Sequence, residues 1–231
     1  MPGVNMDKKY KLTNERITVD GHILHRIKAL RNFADVNREA LGGYIEFENN
    51  LSHDGDCWVY PGARVYGKAR IYDNANILPS AQVYGNAKVY ENAWVSNDAQ
   101  VYGNAKVYGD TWIQENAHAY ANANIYGCSR LCGNAKVHGN AHITGSVWID
   151  NGARIYGDAH VAGHVRIHNS RIYRDAHLCI FVPNIDDIND GDIQIAKLNH
   201  GVWNRKIVIG SKQYLISPTL ETVLISGKLY E

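Results

Sequence analysis

The sequence predicts an all-β protein whose central part is a parallel β-solenoid. Three observations carry this. An aliphatic residue recurs every six positions from Val59 to Ile167, nineteen times without an insertion. A small residue stands two positions before each one: from 63 to 165 these are 14 Ala plus Thr111, Ser129, Val147 and Val165. A turn pair such as Gly85-Asn86, Gly103-Asn104 or Gly133-Asn134 commonly follows, and such residues tolerate the left-handed backbone of a tight corner. Calling the aliphatic position 0, positions −2 and 0 share the inner face of a short strand, while −1 and +1 point outward. A helix does not repeat every six residues, and a hairpin ladder needs reversing turns that this pattern lacks. Stacked parallel strands satisfy both constraints.

The hexad Val-Tyr-Gly-Asn-Ala-Lys resembles the hexapeptide repeat of left-handed parallel β-helices. In that family three hexads make one triangular coil of 18 residues. The resemblance, not the periodicity, implies the left hand, an exception to the usual crossover rule. On this reading residues 1–57 form a β-rich N-terminal cap, 58–182 the left-handed β-helix, and 183–231 a C-terminal cap or oligomerisation tail. After Ile167 the spacing slips: Ile172 follows five residues later, and Ala176 and Leu178 resume the pattern.

Within the cap, Tyr10-Lys-Leu, Ile17-Thr-Val, Asp20-Gly21 and His22 to Ile27 read as a hairpin region. Asn37 to Leu41 reads as a helical turn stopped by Gly42-Gly43. The lead-in from Gly42 to Tyr60 is similar to that of YdcK-like proteins, a group labelled acetyltransferases of the hexapeptide-repeat class and also seen in phage and prophage settings. In the tail, Asp186 to Asp192 reads as a solvated acidic loop. Ile193–196, Lys206–209 and Gln213–216 read as strands, and Leu220–Ile225 as a short helix or strand.

Composition narrows the function. The chain of 231 residues carries 24 Lys+Arg against 23 Asp+Glu, so no global charge steers it to long nucleic acid or a membrane. No stretch approaches the ~20 apolar residues of a membrane span. Met1 to Tyr10 lacks the apolar core of a signal peptide, so a cytoplasmic location is expected. The four cysteines (57, 128, 132 and 179) are expected to be free thiols. The unusual count is 15 Tyr against 3 Phe.

Sorting outward positions by every third hexad accounts for that excess. One face carries Trp58, Asn76, Trp94, Trp112, Arg130, Trp148 and Arg166 at −1. The second carries Tyr66, Tyr84, Tyr102, Tyr120, His138, Tyr156 and Tyr173 at +1. The third carries Tyr72, Tyr90, Tyr108 and Tyr126 at +1, with Arg70, Lys88, Lys106, Asn124, His142, His160 and His177 at −1. Such columns can stiffen a rod by ring stacking or offer a binding surface. Corners pair Tyr84 with Lys88 and Tyr102 with Lys106, an aromatic plane beside a cation, suited to a base and a phosphate. Tyr90 with Trp94 and Tyr108 with Trp112 flank another corner.

Hexapeptide-repeat acyltransferases bind the pantetheine arm of coenzyme A between helices of a trimer and use a His as general base. The resemblance therefore implies a homotrimer, acetyl-CoA as cofactor, and a base among His118, His138, His142, His160, His164 and His168. His138, which interrupts a Tyr column, is the strongest of these. The extruded loop common in that family is missing from all nineteen hexads. A zinc ladder from His142, His160 and His177 fits poorly, because parallel strands hold rings apart rather than around one ion. Cys128 and Cys132 lack a partner pair. The expectation is a non-catalytic ligand-binding or assembly solenoid with no cofactor, taking a partner chain or a small aromatic anion such as a nucleotide. A sequestering role would suit a phage setting. The alternatives are an acetyl-CoA-dependent acyltransferase and a purely structural rod.

Overall fold

A computed structural model describes residues 8–169, 171–174 and 176–181, and the backbone of the strands Gln194–Ile195, Arg205–Ile209, Lys212–Ile216 and Thr222–Ser226. Among these the fold is a three-sided parallel β-solenoid, with no α-helix. Each hexad contributes a two-residue strand at positions −1 and 0, paired in parallel with the strand 18 residues on, as in Trp94↔Trp112, Gln100↔Gln82 and Lys106↔Lys88. Face 1 stacks the strands at Trp58, Asn76, Trp94, Trp112 and Arg130. Face 2 stacks seven strands from Arg64–Val65 to Arg171–Ile172, and face 3 begins at Arg70–Ile71.

Every position-0 side chain from Val59 to Ile167 is at most 1% exposed, and every −2 side chain from Ala63 to Val165 at most 3%. The three walls therefore meet over one continuous aliphatic core. Alanine at −2 fits because that residue enters from a corner, where two walls converge. Where the residue is polar the hydroxyl is satisfied: Thr111 donates to the Tyr108 carbonyl at 2.6 Å and Ser129 to that of Tyr126 at 3.0 Å. The corners turn through positive φ, +69° at Gly103 and +59° at Ala121 directly above it.

Another device fixes the corner between faces 2 and 3. The Asn86 side-chain amide donates to Asn104, Asn104 to Asn122, and Asn122 to Asn140, each at 2.9 Å; Asn140 donates to the Asp158 carboxylate at 2.7 Å.

The slip after Ile167 is absorbed without breaking the column. Ile155 pairs with Ile172 and His160 with His177, 17 residues apart instead of 18. Near this end the corner between faces 3 and 1 opens. His142–Asp150 and His160–His168 each run through it as one nine-residue strand, paired in register throughout. These coils carry Val147 and Val165 where the others carry Cys, Ala, Thr or Ser, and the wider corner accommodates the larger side chains. Beyond His177–Phe181, the strand Thr222–Ser226 adds one more parallel rung, and the strands at 194, 205 and 212 form a separate antiparallel sheet. Leu220–Ile225 is thus strand where its residues are described. Asp186 to Asp192 and the side chain of Cys179 lie outside the described residues.

At the other end the cap extends face 2. Strands β1 (Tyr10–Val19) and β2 (His22–Ala29) form a hairpin about Asp20-Gly21, both at positive φ as the preferred two-residue turn requires. Strand β3 (Leu41–Ile45) pairs antiparallel with β2 and parallel with Arg64–Val65. Asn37 to Leu41 is no helical turn: Ala40 N–H donates to the Asn37 carbonyl in a tight turn, and Leu41 already begins β3. Leu51 bridges to Ile71, so coil-like pairing starts ahead of Trp58. The outer edge, β1, carries Lys11, Glu15 and Arg16 and an irregularity between Leu12 and Arg16, features that discourage further strand pairing.

The open end of the core is plugged by Tyr10, Phe33 and Trp58, whose rings meet edge to face. Lys9 is buried among them. Its ammonium donates to the Cys57 carbonyl at 2.9 Å and the Gly55 carbonyl at 3.2 Å, and lies 3.3 Å from the Cys57 thiol. Burial lowers the Lys9 pKa and raises that of Cys57. Among the described residues no helix is long and apolar enough to cross a membrane.

Candidate functional site

The outward residues stand in the columns that an 18-residue coil dictates. On face 2 the rings of Tyr66, Tyr84, Tyr102, Tyr120, His138, Tyr156 and Tyr173 stack at 4.6–5.3 Å, and Tyr84 and Tyr102 lie 4.9 Å apart at 1°. On face 3 Tyr72, Tyr90, Tyr108 and Tyr126 stack at 4.7–4.9 Å. Partial burial pushes the Tyr90 and Tyr102 phenols up to about 12. These spacings are those of favourable offset aromatic pairs.

Stacking has a consequence for binding. Each interior ring, including Tyr84, Tyr102, Tyr90 and Tyr108, has both faces covered by its neighbours. Those columns show a ligand ring edges and hydroxyls. Neither Lys88 nor Lys106 reaches a tyrosine face among the described residues, and both are exposed without an ion-pair partner there.

An open aromatic face occurs where a column ends, and Tyr72 is such an end. It stacks on Tyr90 above, and the coil beneath, in register through Leu51↔Ile71, offers the small Ser52. Here the cap stands off from face 3, leaving a cleft of about 700 Å³ lined by Tyr72, Ser52, His53, Arg70, Lys88 and Lys8, with Glu48 and Asp54. Two of its four basic side chains are engaged by one carboxylate. Glu48 takes hydrogen bonds from Lys8 at 2.7 Å and His53 at 2.9 Å, which lower its pKa. Arg70 and Lys88, vertical neighbours on face 3, carry no carboxylate partner among the described residues. Tyr72 stands two residues along the strand from Arg70 on the same outer side. A planar ring on Tyr72 would therefore leave an attached anion beside two unpaired cations. Sequence reasoning singled out Lys88 but missed Tyr72 as a platform. The signal was present: Tyr72 is the first tyrosine of its column, with serine one register step below.

Face 1 is different. Trp94 and Trp112 stack at 5.3 Å, and each is just over a third exposed. The Arg130 guanidinium lies 4.9 Å from the Trp112 ring and 5.8 Å from that of Trp148, and Arg166 covers the other side of Trp148 at 4.8 Å. The two arginines thus continue the tryptophan column by cation–π contact. Trp58, at its foot, is buried under the cap.

Five histidines of the solenoid fall into three settings, while His118 stands edge-on to Tyr102. His138 is sandwiched between Tyr120 and Tyr156, and burial, then Arg154 and Lys136, hold its pKa down. His142, His160 and His177 stack at 4.7 Å with planes within 4°, so they cannot converge on one ion, and no metal-ligating group occurs among the described residues. His168 lies 2.6 Å through Nδ1 from the buried Asp150 carboxylate, which also accepts from Arg166 at 2.6 and 2.9 Å. Of the candidate bases it is the one held by a carboxylate. Cys57, Cys128 and Cys132 are free thiols; burial raises the Cys132 pKa, and its sulfur accepts from the Trp148 indole at 3.1 Å.

The repeat that builds these columns matches a known one. Residues 81–97 and 99–115 match the family described as the YdcK Beta solenoid repeat. An alignment of 79 positions that covers 30% of this chain is 33% identical to a protein of Escherichia coli (strain K12) named "Uncharacterized acetyltransferase YdcK". The match spans 24%, about a quarter, of that protein's length. In its repeat this chain is similar to the YdcK β-solenoid, and its strands stack as a three-sided parallel solenoid.

Proposed function

We propose that this β-solenoid is a ligand-binding protein that takes a small aromatic anion of the nucleotide class in the cleft between cap and face 3. The observation that carries the reading is the coincidence of Tyr72, a column-end ring with an open face, with the unpaired cations Arg70 and Lys88. Adenosine monophosphate, adenosine and inorganic phosphate separate the contributions in a thermal melt. At about 100 times its Kd a ligand adds about 2.7 kcal/mol to stability. The monophosphate is expected to stabilise more than either fragment. Tyr72→Ala removes the advantage over phosphate, and Arg70→Ala with Lys88→Ala removes the advantage over adenosine. Equal melts with and without all three compounds refute the reading. A homotrimer in the cytoplasm belongs to the same proposal, and native mass spectrometry reports the subunit count together with any co-purified ligand.

A second reading is an acetyl-CoA-dependent acyltransferase. The name of the E. coli relative favours it, as does the hydrogen-bonded His168–Asp150 pair, since a carboxylate on Nδ1 orients an imidazole; the Asn151 amide lies 2.8 Å from Nε2 and must give way before that nitrogen can take a proton. Acetyl-CoA turnover that is lost in His168→Ala and retained in His138→Ala supports this reading with His168 as base. Loss in His138→Ala alone returns the role to His138.

A further inference from the structure

Beyond the cleft, the −1 column of face 3 is a line of basic side chains. The strand register places Arg70, Lys88, Lys106, Asn124, His142, His160 and His177 directly above one another. Arg70, Lys88, Lys106, His160 and His177 are exposed, and His142 is half-exposed. The spacing is one coil, 4.7 Å between the imidazoles. Two tyrosine columns flank the line, Tyr84, Tyr102 and Tyr120 across one corner and Tyr72, Tyr90, Tyr108 and Tyr126 along the strand. Charges are sparse around it. The neighbouring corner runs from Lys68 through the neutral ladder Asn86, Asn104, Asn122 and Asn140 to Asp158; Asp73, Glu91 and Asp110 lie at the far corner, beyond the second tyrosine column.

From this arrangement we infer that the column binds a linear acidic polysaccharide, one carboxylate per sugar, laid along the solenoid axis. Two features select that class. The anions must recur at a regular short spacing to meet a basic side chain on each coil but the one that carries Asn124. They must also do so without aromatic bases, because the flanking tyrosines present edges and hydroxyls rather than open faces, and single-stranded nucleic acid relies on open faces for stacking. Ring edges and phenol hydroxyls are suitable neighbours for a sugar chain.

The lower half of the line is charged at every physiological pH, whereas the upper half is conditional. His160 faces His142 below, His177 above and Asp158 beside it; burial and the two histidines outweigh Asp158 and lower its pKa. Asn124 lies under His142, and Thr222 pairs above His177. A bound carboxylate favours the charged imidazoles, so acidification extends the binding line from the lysines toward the C-terminal end.

The test is isothermal titration of the full chain with polygalacturonate at about pH 7.5 and about pH 5.5, on either side of an ordinary histidine pKa. Binding is expected at both, and tighter at the lower pH by roughly fivefold for each imidazole that charges against a carboxylate. His160→Gln is expected to lessen the pH dependence by breaking the imidazole line at its centre, and Lys106→Gln to weaken binding at both pH values. Neither residue lines the cleft, so loss of nucleotide binding and loss of polysaccharide binding are separable. Circular dichroism melts confirm that both variants fold, and the double variant serves if a single effect is small. No binding, equal binding of the methyl-esterified polymer, or no effect of the variants overturns the inference. Tighter binding of oligothymidylate of equal charge overturns it in favour of nucleic acid.

Discussion

Removing an interior tyrosine ring from face 3 should cost more than removing an end ring, by the value of one stack. Tyr108 lies between Tyr90 at 4.7 Å and Tyr126 at 4.9 Å, whereas Tyr126 has Tyr108 below it and Thr144 in register above. Both rings are half-buried, so the area each returns to water is similar. Stacks of this kind contribute ~0.5–1.5 kcal/mol each beyond area burial. Tyr108→Ala loses two and Tyr126→Ala one, so the difference should be about 0.5–1.5 kcal/mol. Stability in a solenoid is close to a sum of coil and neighbour contributions, so the loss should appear in the overall unfolding free energy. Urea denaturation of the two single variants and the double variant gives the coupling energy directly. Tyr108→His is the control, because His138 already stacks between two tyrosines at 4.6 and 5.0 Å; it should retain most of the stability. An end ring as costly as the interior ring, or a coupling energy near zero, refutes the account of the columns as stacked rings.

Gly103→Ala should destabilise by about 1–2 kcal/mol in urea, because φ is +69° and the new Cβ would stand 2.9 Å from the Ala121 nitrogen; Gly62→Ala, at +86° but 3.7 Å from its nearest atom, should cost less. Stability should fall as pH drops through about 6.5. The pKa values of His118, His138 and His160 are lowered in the fold, mainly by burial, so the unfolded chain takes up protons first. Melts across that range check the sign, and His138→Tyr should lessen the fall. Lys9→Met should cost about 1–3 kcal/mol for each carbonyl left unpaired among Gly55 and Cys57, and faster amide exchange in β1 and around Cys57 reports it. Asp150→Ala should cost about 1 kcal/mol, because Arg166 is 58% and His168 26% exposed and water replaces the lost carboxylate, measured by the same denaturation.

The column arrangement was legible in the sequence because it is local arithmetic. A strand every six residues and a coil every 18 place Tyr84 under Tyr102 whatever the rest of the chain does. The slip before Ile172 was legible for the same reason. What the periodicity could not show was which ring faces remain open, since that depends on how closely neighbours stack and on what lies at a column's foot. Tyr72 became a platform because Ser52 and the cap lie below it, and the cap obeys no repeat. The cation–π continuation of the tryptophan column was hidden likewise: Arg130 and Arg166 occupy tryptophan positions, but long side chains can turn anywhere on a surface. The Asp150–His168 contact joins position +1 of successive coils, so the register was available; the pairing needed the rotamers.

The amide corner has a direction. Each asparagine hands a proton donor upward and receives one from below, and every one of these exchanges runs the same way. A carboxylate can take what arrives and has nothing to hand on. Asp158 therefore ends the relay at this corner while the walls run on above it through Arg171–Ile172 and His177–Phe181, just as Asp110 ends the relay from Asn74 and Asn92 at another corner lower in the column.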